Sequence, residues 1–216
     1  VAVQAGDRVT ITDTVPTVFA GQVQLSNVLA LLDGGVTVGS SGNMLPAPVA
    51  VANPADLATD GGSAAKLEGV LVTVSNVTVT VATSRPGTGE FEITGGLRVG
   101  DLMYRLPQQP VVGQQFASIT GVAELRNGVM KVEPRTAADL VPGAPVLASL
   151  LPSSTFIREG TQGNTIPTPL TVTLTNTSAT DTVVTVASGD AALGVVSGTV
   201  TVPAGRFEVY EVVMYP

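Results

Sequence analysis

Valine and threonine dominate this sequence and constrain its fold more than any other feature. Together they fill 63 of the 216 positions, with 36 Val and 27 Thr. Their branched side chains fit a pleated, half-buried surface better than they fit a helix, so runs of them predict strands. The 24 Gly and 15 Pro fall between these runs, where turns are expected. The pattern predicts an all-β chain with little helix.

The longest run of this kind extends from Leu67 to Ala82 and is typical of a strand with one buried face. Between residues 71 and 81 the odd positions are mostly apolar and predict the buried side. Asn127-Gly128 predicts a tight type I′ hairpin turn, because both residues tolerate a positive φ. Residues 18–25 predict strand structure broken at Ala20-Gly21. Helix is expected only as one or two turns within residues 54–66 and one turn at residues 136–140, with Thr136 as its cap.

The stretch Val141-Pro142-Gly143-Ala144-Pro145 predicts a boundary between two domains. Two prolines that bracket a glycine neither extend a helix nor sit in a central strand, so residues 142–145 are interpreted as a linker. It separates a first domain, residues 1–141, from a second, residues 146–216. Short Thr/Val strands are predicted in the second domain at Leu170–Thr175, Thr182–Ala187, Val195–Val202 and Phe207–Met214.

Composition excludes several functional classes. The chain has no His and no Cys, which removes histidine acid–base catalysis, thiol nucleophiles, disulfides and the usual zinc sites. We therefore expect no enzyme activity, no cofactor and no required metal. Residues 1–141 carry 8 basic against 12 acidic side chains and no basic cluster, so duplex nucleic acid is not expected as a partner. No apolar stretch approaches the roughly 18 residues of a membrane-spanning helix.

Two sets of acidic residues are candidates for a site. Asp56, Asp60 and Asp190 lie in loop-like sequence beside glycines and offer oxygen ligands to calcium, although the spacing of a calcium-binding loop is absent. Glu90 and Glu92 project from one face of a predicted strand, as a glycosidase pair would, but such pairs normally come from separate elements. Solvated surface acids are the favoured interpretation of both sets.

One set of aromatic and basic residues is a candidate for binding single-stranded nucleic acid. Stacking platforms beside positive charge are what such binding requires. Phe91, Tyr104 and Phe116, with Arg98 and Arg105, are the available residues. Packing of the aromatic rings in a core and solvation of the arginines is the favoured alternative.

Ordered segments of the first domain resemble a known family. The segments are GDRVTITDTV, VFAGQVQLSN, PAPVAV, LEGVLVTVSNVTVT and VGQQFASITGVAELRNGVMKVEPRTAADL. They resemble OB-fold-like domains attached to secreted bacterial nucleases and surface lipoproteins, over about residues 5–141. The later segment TVTLTNTSATDTVVTVASGDAALGVVSGTVTVPAG resembles immunoglobulin-like repeats of bacterial surface proteins. The resemblance implies an OB-like barrel, then an immunoglobulin-like β-sandwich that lacks its last strands, at an extracellular or cell-surface location.

The functional expectation is a non-enzymatic structural or assembly module of a bacterial surface or secreted protein. Its partners would be further copies of itself or other surface proteins. One route is strand sharing, in which residues 1–5 or 207–215 complete the sheet of a neighbouring copy and so build a filament. The alternative is a non-catalytic ligand-binding accessory region of a larger secreted enzyme, such as a nuclease.

Overall fold

The computed structural model describes residues 2–12, 14–19, 21–26, 35–154, 170–187 and 198–212. Residues 209–212 are described by their backbone alone. The fold is all-β, with 46% strand and 8% helix, which confirms that prediction. The described strands are β1 (Arg8–Ile11), β2 (Val15–Phe19), β3 (Gln22–Ser26), β4 (Val36–Ser40), β5 (Val49–Ala50), β6 (Leu71–Val81), β7 (Phe91–Ile93), β8 (Leu97–Val99), β9 (Gln115–Arg126), β10 (Val129–Glu133), β11 (Leu140–Pro142), β12 (Leu147–Leu151), β13 (Leu170–Leu174), β14 (Thr182–Val186), β15 (Gly198–Val202) and β16 (Glu208–Val212). The described helical segments are short turns at Pro54–Asp56, Ala64–Leu67 (α1), Thr94–Gly96 and Ala137–Asp139.

Five strands close into a barrel in the order β6-β7-β8-β10-β9 and back to β6. The β8–β10 pair is parallel and the other four pairs are antiparallel. This order matches the five-stranded Greek-key barrel of the OB-fold. The two longest strands, β6 and β9, pair with each other along one edge. Along its other edge, β6 pairs with β5 and β7. Along its other edge, β9 pairs with β10 and β11.

The buried face of β6 changes side at its middle, so the expected odd-numbered pattern is wrong for the first half. Val72 and Val74 are buried in that half, whereas Val77 and Val79 are buried in the second. Asn76 has a φ of +53°, and this left-handed conformation reverses the alternation of the pleat. The turn at Asn127-Gly128 is confirmed, because both residues have positive φ.

The barrel encloses one apolar core. Phe91 and Phe116 stack at its centre with 5.9 Å between ring centroids. Leu57 is fully buried in this core, and Ala64 and Leu67 of α1 pack against the core. The remaining buried members are Val51, Ala58, Val72, Val74, Val77, Val79, Ile93, Leu97, Val99, Ile119, Ala123, Met130, Val132 and Leu140.

Two small ribbons precede the barrel along the chain. β1 pairs with β4, and β2 pairs with β3 with Phe19 opposite Gln22. Most of the described side chains of these ribbons are exposed. A two-stranded ribbon alone is marginally stable in water, so these elements depend on what they pack against.

After the barrel, two further sheets pack together. β12, β13 and β16 form one sheet, and β14 and β15 form the other. Val172 of β13 and Val202 of β15 belong to one small core, which joins the two sheets face to face. β16 lies beside β13 of its own chain. Residues 208–212 therefore pair within their own chain, and strand sharing with a neighbouring copy stays a prediction.

The segment that follows the barrel stays hydrogen-bonded to it. Pro142 ends β11, and the Gly143 N–H donates to the Gln115 carbonyl over 2.8 Å. Asn176 follows β13 and is buried. Its Nδ2 donates to the carbonyls of Gln115 (2.8 Å) and Gly143 (3.2 Å). The second unit is thus tied to the barrel by a side chain that lies 33 residues after Gly143. Within the described ranges, no helix has the length and apolarity needed to cross a membrane.

Candidate functional site

Four charged side chains form a row across the outer face of the barrel. Glu92 of β7 lies opposite Arg98 of β8, Arg98 lies opposite Lys131 of β10, and Lys131 lies opposite Glu124 of β9. Neighbouring residues along each strand point into the core, so these four point outward. We call them the charged row. Sequence reasoning considered Glu92 and Arg98 but missed Lys131 and Glu124, because the row exists only once four strands are in register.

The central lysine of the charged row is neutralised inside the protein. Lys131 Nζ contacts Glu90 Oε1 at 2.5 Å, and both residues are buried. Arg98 Nη1 lies 3.8 Å from Glu90 Oε2, and that oxygen has no hydrogen-bond partner. Removing either charge of such a pair would leave the other uncompensated in a low-dielectric environment. The arrangement leaves little positive potential for an anionic ligand.

Glu133, two residues after Lys131, is a second buried carboxyl. Glu133 is 1% exposed, and its Oε2 accepts a hydrogen bond from the Leu102 N–H over 3.0 Å. The carboxylate lies directly on Gly100, where a methyl group would overlap it. Burial raises the pKa of Glu133 to about 7, opposed by the Leu102 N–H. The negative charges of Glu124 and Glu90 add to this rise in pKa, and the charge of Lys131 reduces it.

The predicted carboxylate pair is not presented to a substrate. Glu90 is bound to Lys131 and buried, whereas Glu92 is half-buried on the adjoining strand, with its Oε1 3.5 Å from the Thr80 hydroxyl. The charged side chains that do come together are Glu90, Lys131 and Glu133. The one sequence signal for this cluster is the alternation of Lys131 and Glu133 with apolar residues in β10. That signal indicates a shared face but not burial.

The predicted aromatic and basic set is divided between the core and the surface. Phe91 and Phe116 are buried in the barrel, and Tyr104 packs against the same core. Arg98 faces Glu90, and Arg105 is exposed. Neither phenylalanine is therefore available for a base to stack on.

The predicted calcium ligands do not gather in the part of the chain that can be described. Asp56 Oδ1 accepts a hydrogen bond from Asn53, and Asp60 is exposed with a φ of +65°. Asp190 lies outside the described residues. Among the described residues, no group of three or more acidic side chains is arranged to hold a metal ion.

The hairpin of β2 and β3, here called the N-terminal hairpin, lies against the barrel beside the charged row. Gln22 Nε2 donates to Glu124 Oε1 over 3.4 Å, and the Val23 N–H donates to Glu68 Oε1 over 3.3 Å. Gly21 has a φ of +87° and lies close to Leu125, so a side chain there would be strained. The hairpin is thus held near its turn.

The two faces of the N-terminal hairpin have different chemistry. Its inner face carries Thr17, Phe19, Gln22 and Gln24, whereas its outer face carries Pro16, Val18, Val23 and Leu25. The three aliphatic residues of the outer face are more than half exposed, Val18 by 72%. No charged residue occurs between Thr14 and Ser26.

The inner face borders a cleft of about 400 Å³, here called the hairpin cleft. Its other wall is the tip of the β9–β10 hairpin, with Glu124, Arg126 and Asn127, and part of the loop after β8. Phe19 stands at the cleft with 68% of its surface exposed. The cleft therefore combines one exposed ring with several amide and charged groups.

Comparison with protein-family models, with curated proteins and with solved structures gives no match for this chain.

Proposed function

We propose that this chain is a non-enzymatic assembly module of a bacterial surface or secreted protein, and that copies of it associate through the outer face of the N-terminal hairpin. The observation that carries the proposal is the chemistry of that face. Three large aliphatic side chains and a proline lie together on it, exposed and without charge. Soluble proteins rarely leave such contiguous apolar surface uncovered unless a partner covers it.

A second copy is the proposed partner because the outer face suits self-association. The chain has a formal net charge of −7, so two copies repel each other over most of their surfaces. The outer face adds no charge to that repulsion, and a two-fold contact would bring identical apolar patches together. Covering the face would also stabilise a ribbon that is weak by itself.

A structural role is favoured over an accessory role in binding nucleic acid. Lys131 is already paired with Glu90, Arg98 lies near the same carboxylate, and both core phenylalanines are buried. The barrel face that binds strands in OB-folds thus offers neither free positive charge nor rings.

The second unit and the location are part of the proposal. We assign the two packed sheets formed by β12–β16 to an immunoglobulin-like sandwich, on the basis of their face-to-face core and the repeat-like sequence. Extracellular or cell-surface location rests on the resemblance and on the composition. Strand exchange through residues 207–215 does not enter the proposal, because β16 is already in its own sheet.

The test compares two sets of lysine substitutions by sedimentation velocity over a range of protein concentrations. Val18→Lys combined with Leu25→Lys places like charges on the outer face, and we expect this variant to remain monomeric where the wild type dimerises. Val183→Lys is the matched control, because Val183 lies on β14 and is 61% exposed. We expect it to associate like the wild type.

Two outcomes would contradict the proposal. One is a wild-type chain that stays monomeric up to the highest concentration it reaches in solution. The other is equal loss of association in the Val183→Lys variant and in the double variant, which would indicate a nonspecific effect of added charge.

A further inference from the structure

We propose that the hairpin cleft binds an uncharged saccharide, which stacks on Phe19 and forms hydrogen bonds with Gln24, Glu124, Arg126 and Asn127. The proposal concerns the inner face of the N-terminal hairpin and is independent of association through the outer face. It rests on four properties of the cleft: its exposed ring, its mixed polar groups, its balanced charge and its fixed walls.

The ring at the cleft has no packing role that accounts for its position. Phe91 and Phe116 fill the barrel core, whereas Phe19 is 68% exposed beside a concave surface. An exposed phenylalanine costs solvation free energy unless a ligand covers it. The flat C–H face of a pyranose ring is apolar and matches the face of an aromatic ring, which carries a partial negative charge.

The polar groups around Phe19 both donate and accept hydrogen bonds. Gln24 and Asn127 offer amide groups of both kinds, and Arg126 donates only. Glu124 accepts only. Its Oε1 receives Gln22, while its Oε2 is buried without a partner. A carboxylate oxygen has two lone pairs, so Oε1 can accept a second hydrogen bond beside the one from Gln22. A hydroxyl group donates to such an oxygen and accepts from the amides.

The charges of the cleft favour a neutral ligand. Glu124 and Arg126 carry opposite charges on the same wall, and Lys131 of the charged row is already paired with Glu90. A polyanion would meet one arginine within a chain of net charge −7. A polycation would meet one carboxylate that already accepts Gln22. A ligand with many hydroxyls and no net charge avoids both penalties.

The walls of the cleft are held in place before any ligand arrives. Asn127 is fixed by the positive φ angles of its turn, with a φ of +54°. Leu102, on the loop after β8, is held by the bond from its N–H to buried Glu133. Gln22 is anchored on Glu124. Groups that are already ordered lose less entropy on binding.

The test uses isothermal titration calorimetry of the full chain with soluble cello-, xylo-, manno- and chito-oligosaccharides. At least one of them should bind. We expect Phe19→Ala to weaken that binding about tenfold, because the stacking surface is lost. Val183→Ala is the matched control, since Val183 of β14 is similarly exposed and belongs neither to the hairpin cleft nor to the outer face of the N-terminal hairpin. It should leave the affinity unchanged.

Further measurements separate the alternatives. A neutral Gly/Ser peptide and polygalacturonate serve as probes for a peptide site and an anion site, and binding of either in preference to the four neutral saccharides would overturn the proposal. Failure of all four saccharides to bind would do the same, as would equal losses in Phe19→Ala and Val183→Ala. The monomeric Val18→Lys/Leu25→Lys variant should still bind the saccharide, so this proposal and the assembly proposal can fail separately.

Discussion

Glu133 shows how one buried side chain responds to its surroundings. Its carboxyl lies on Gly100, accepts one backbone N–H and has no cation bonded to it. The neutral form is favoured by burial, and the pKa of Glu133 is raised to about 7. Sequence reasoning did not single out this residue. It could not indicate burial, because the loop that covers Glu133 comes from residues 100–102, about 30 positions earlier in the chain.

We expect Glu133 to make the protein less stable as the pH rises from about 4.5 to about 7. Its pKa is higher in the folded state than the ordinary value of 4.5, so the folded state binds the extra proton in this range. The stabilisation is complete below the unfolded pKa and is lost as the pH rises through the folded pKa, with a maximum loss of about 3 kcal/mol. Urea unfolding across this range measures the slope.

Glu133→Gln should flatten that slope relative to the wild type, because the amide is neutral at every pH and still accepts the Leu102 N–H. Glu92→Gln removes a half-buried carboxylate from the charged row and should leave the slope in place. A Glu133→Gln variant with the full wild-type slope would show that another group is responsible.

Among the elements, strands and turns were predictable where the signal is local. The Ala20-Gly21 break and the Asn127-Gly128 turn were both expected from sequence, and both hairpins form. The switch of the buried face at Asn76 was not, because a polar residue in a strand gives no indication of its φ. The charged row was also beyond sequence reasoning, since its four members come from strands that the barrel brings together.

The ion pair between Lys131 of β10 and Glu90, which lies just before β7, should tolerate the loss of both charges better than the loss of one. Lys131→Met leaves buried Glu90 with only the more distant Arg98, 3.8 Å from its Oε2, and should lower the free energy of unfolding by about 3 kcal/mol. Glu90→Met combined with Lys131→Met removes both charges and should recover most of this loss. Unfolding in urea, followed by circular dichroism, compares the three proteins.

Lys66→Met is the control for that comparison, because Lys66 is the other lysine of the chain and is exposed on α1. It should change stability little. If the double variant were no more stable than Lys131→Met, the loss would reflect packing of the lysine stem and not an unpaired charge.

At the level of the whole molecule, the predicted linker is short and held at both ends. Sequence reasoning placed it at residues 142–145, and an undocked linker would be open to proteolysis. Asn176 supplies the docking contact through its bonds to Gln115 and Gly143, and a cleft of about 450 Å³ lies beside it. The position of a boundary can be inferred from prolines and glycines. A contact made by Asn176, which lies 33 positions after Gly143, cannot be inferred in this way.

Asn176→Ala should make this junction accessible to a nonspecific protease. The Gly143 carbonyl would lose the bond from Asn176, which weakens docking by about 1 kcal/mol and speeds cleavage near residue 144 several-fold. Thr177→Ala, at the exposed neighbouring position, should be cleaved at the wild-type rate. Equal cleavage rates for Asn176→Ala and the wild type would mean that other contacts hold the two units together.

The directions in which the chain enters and leaves the barrel determine how the barrel would carry tension. β5 runs parallel to β6, β9 runs antiparallel to β6, and β11 runs antiparallel to β9. β5 and β11 therefore point the same way on the two flanks of one continuous ladder. A force that separates the chain before Val49 from the chain after Pro142 would pull these flanks in opposite directions along their own axes. The ladder would be loaded in shear, with its hydrogen bonds sharing the load instead of opening one by one from an end.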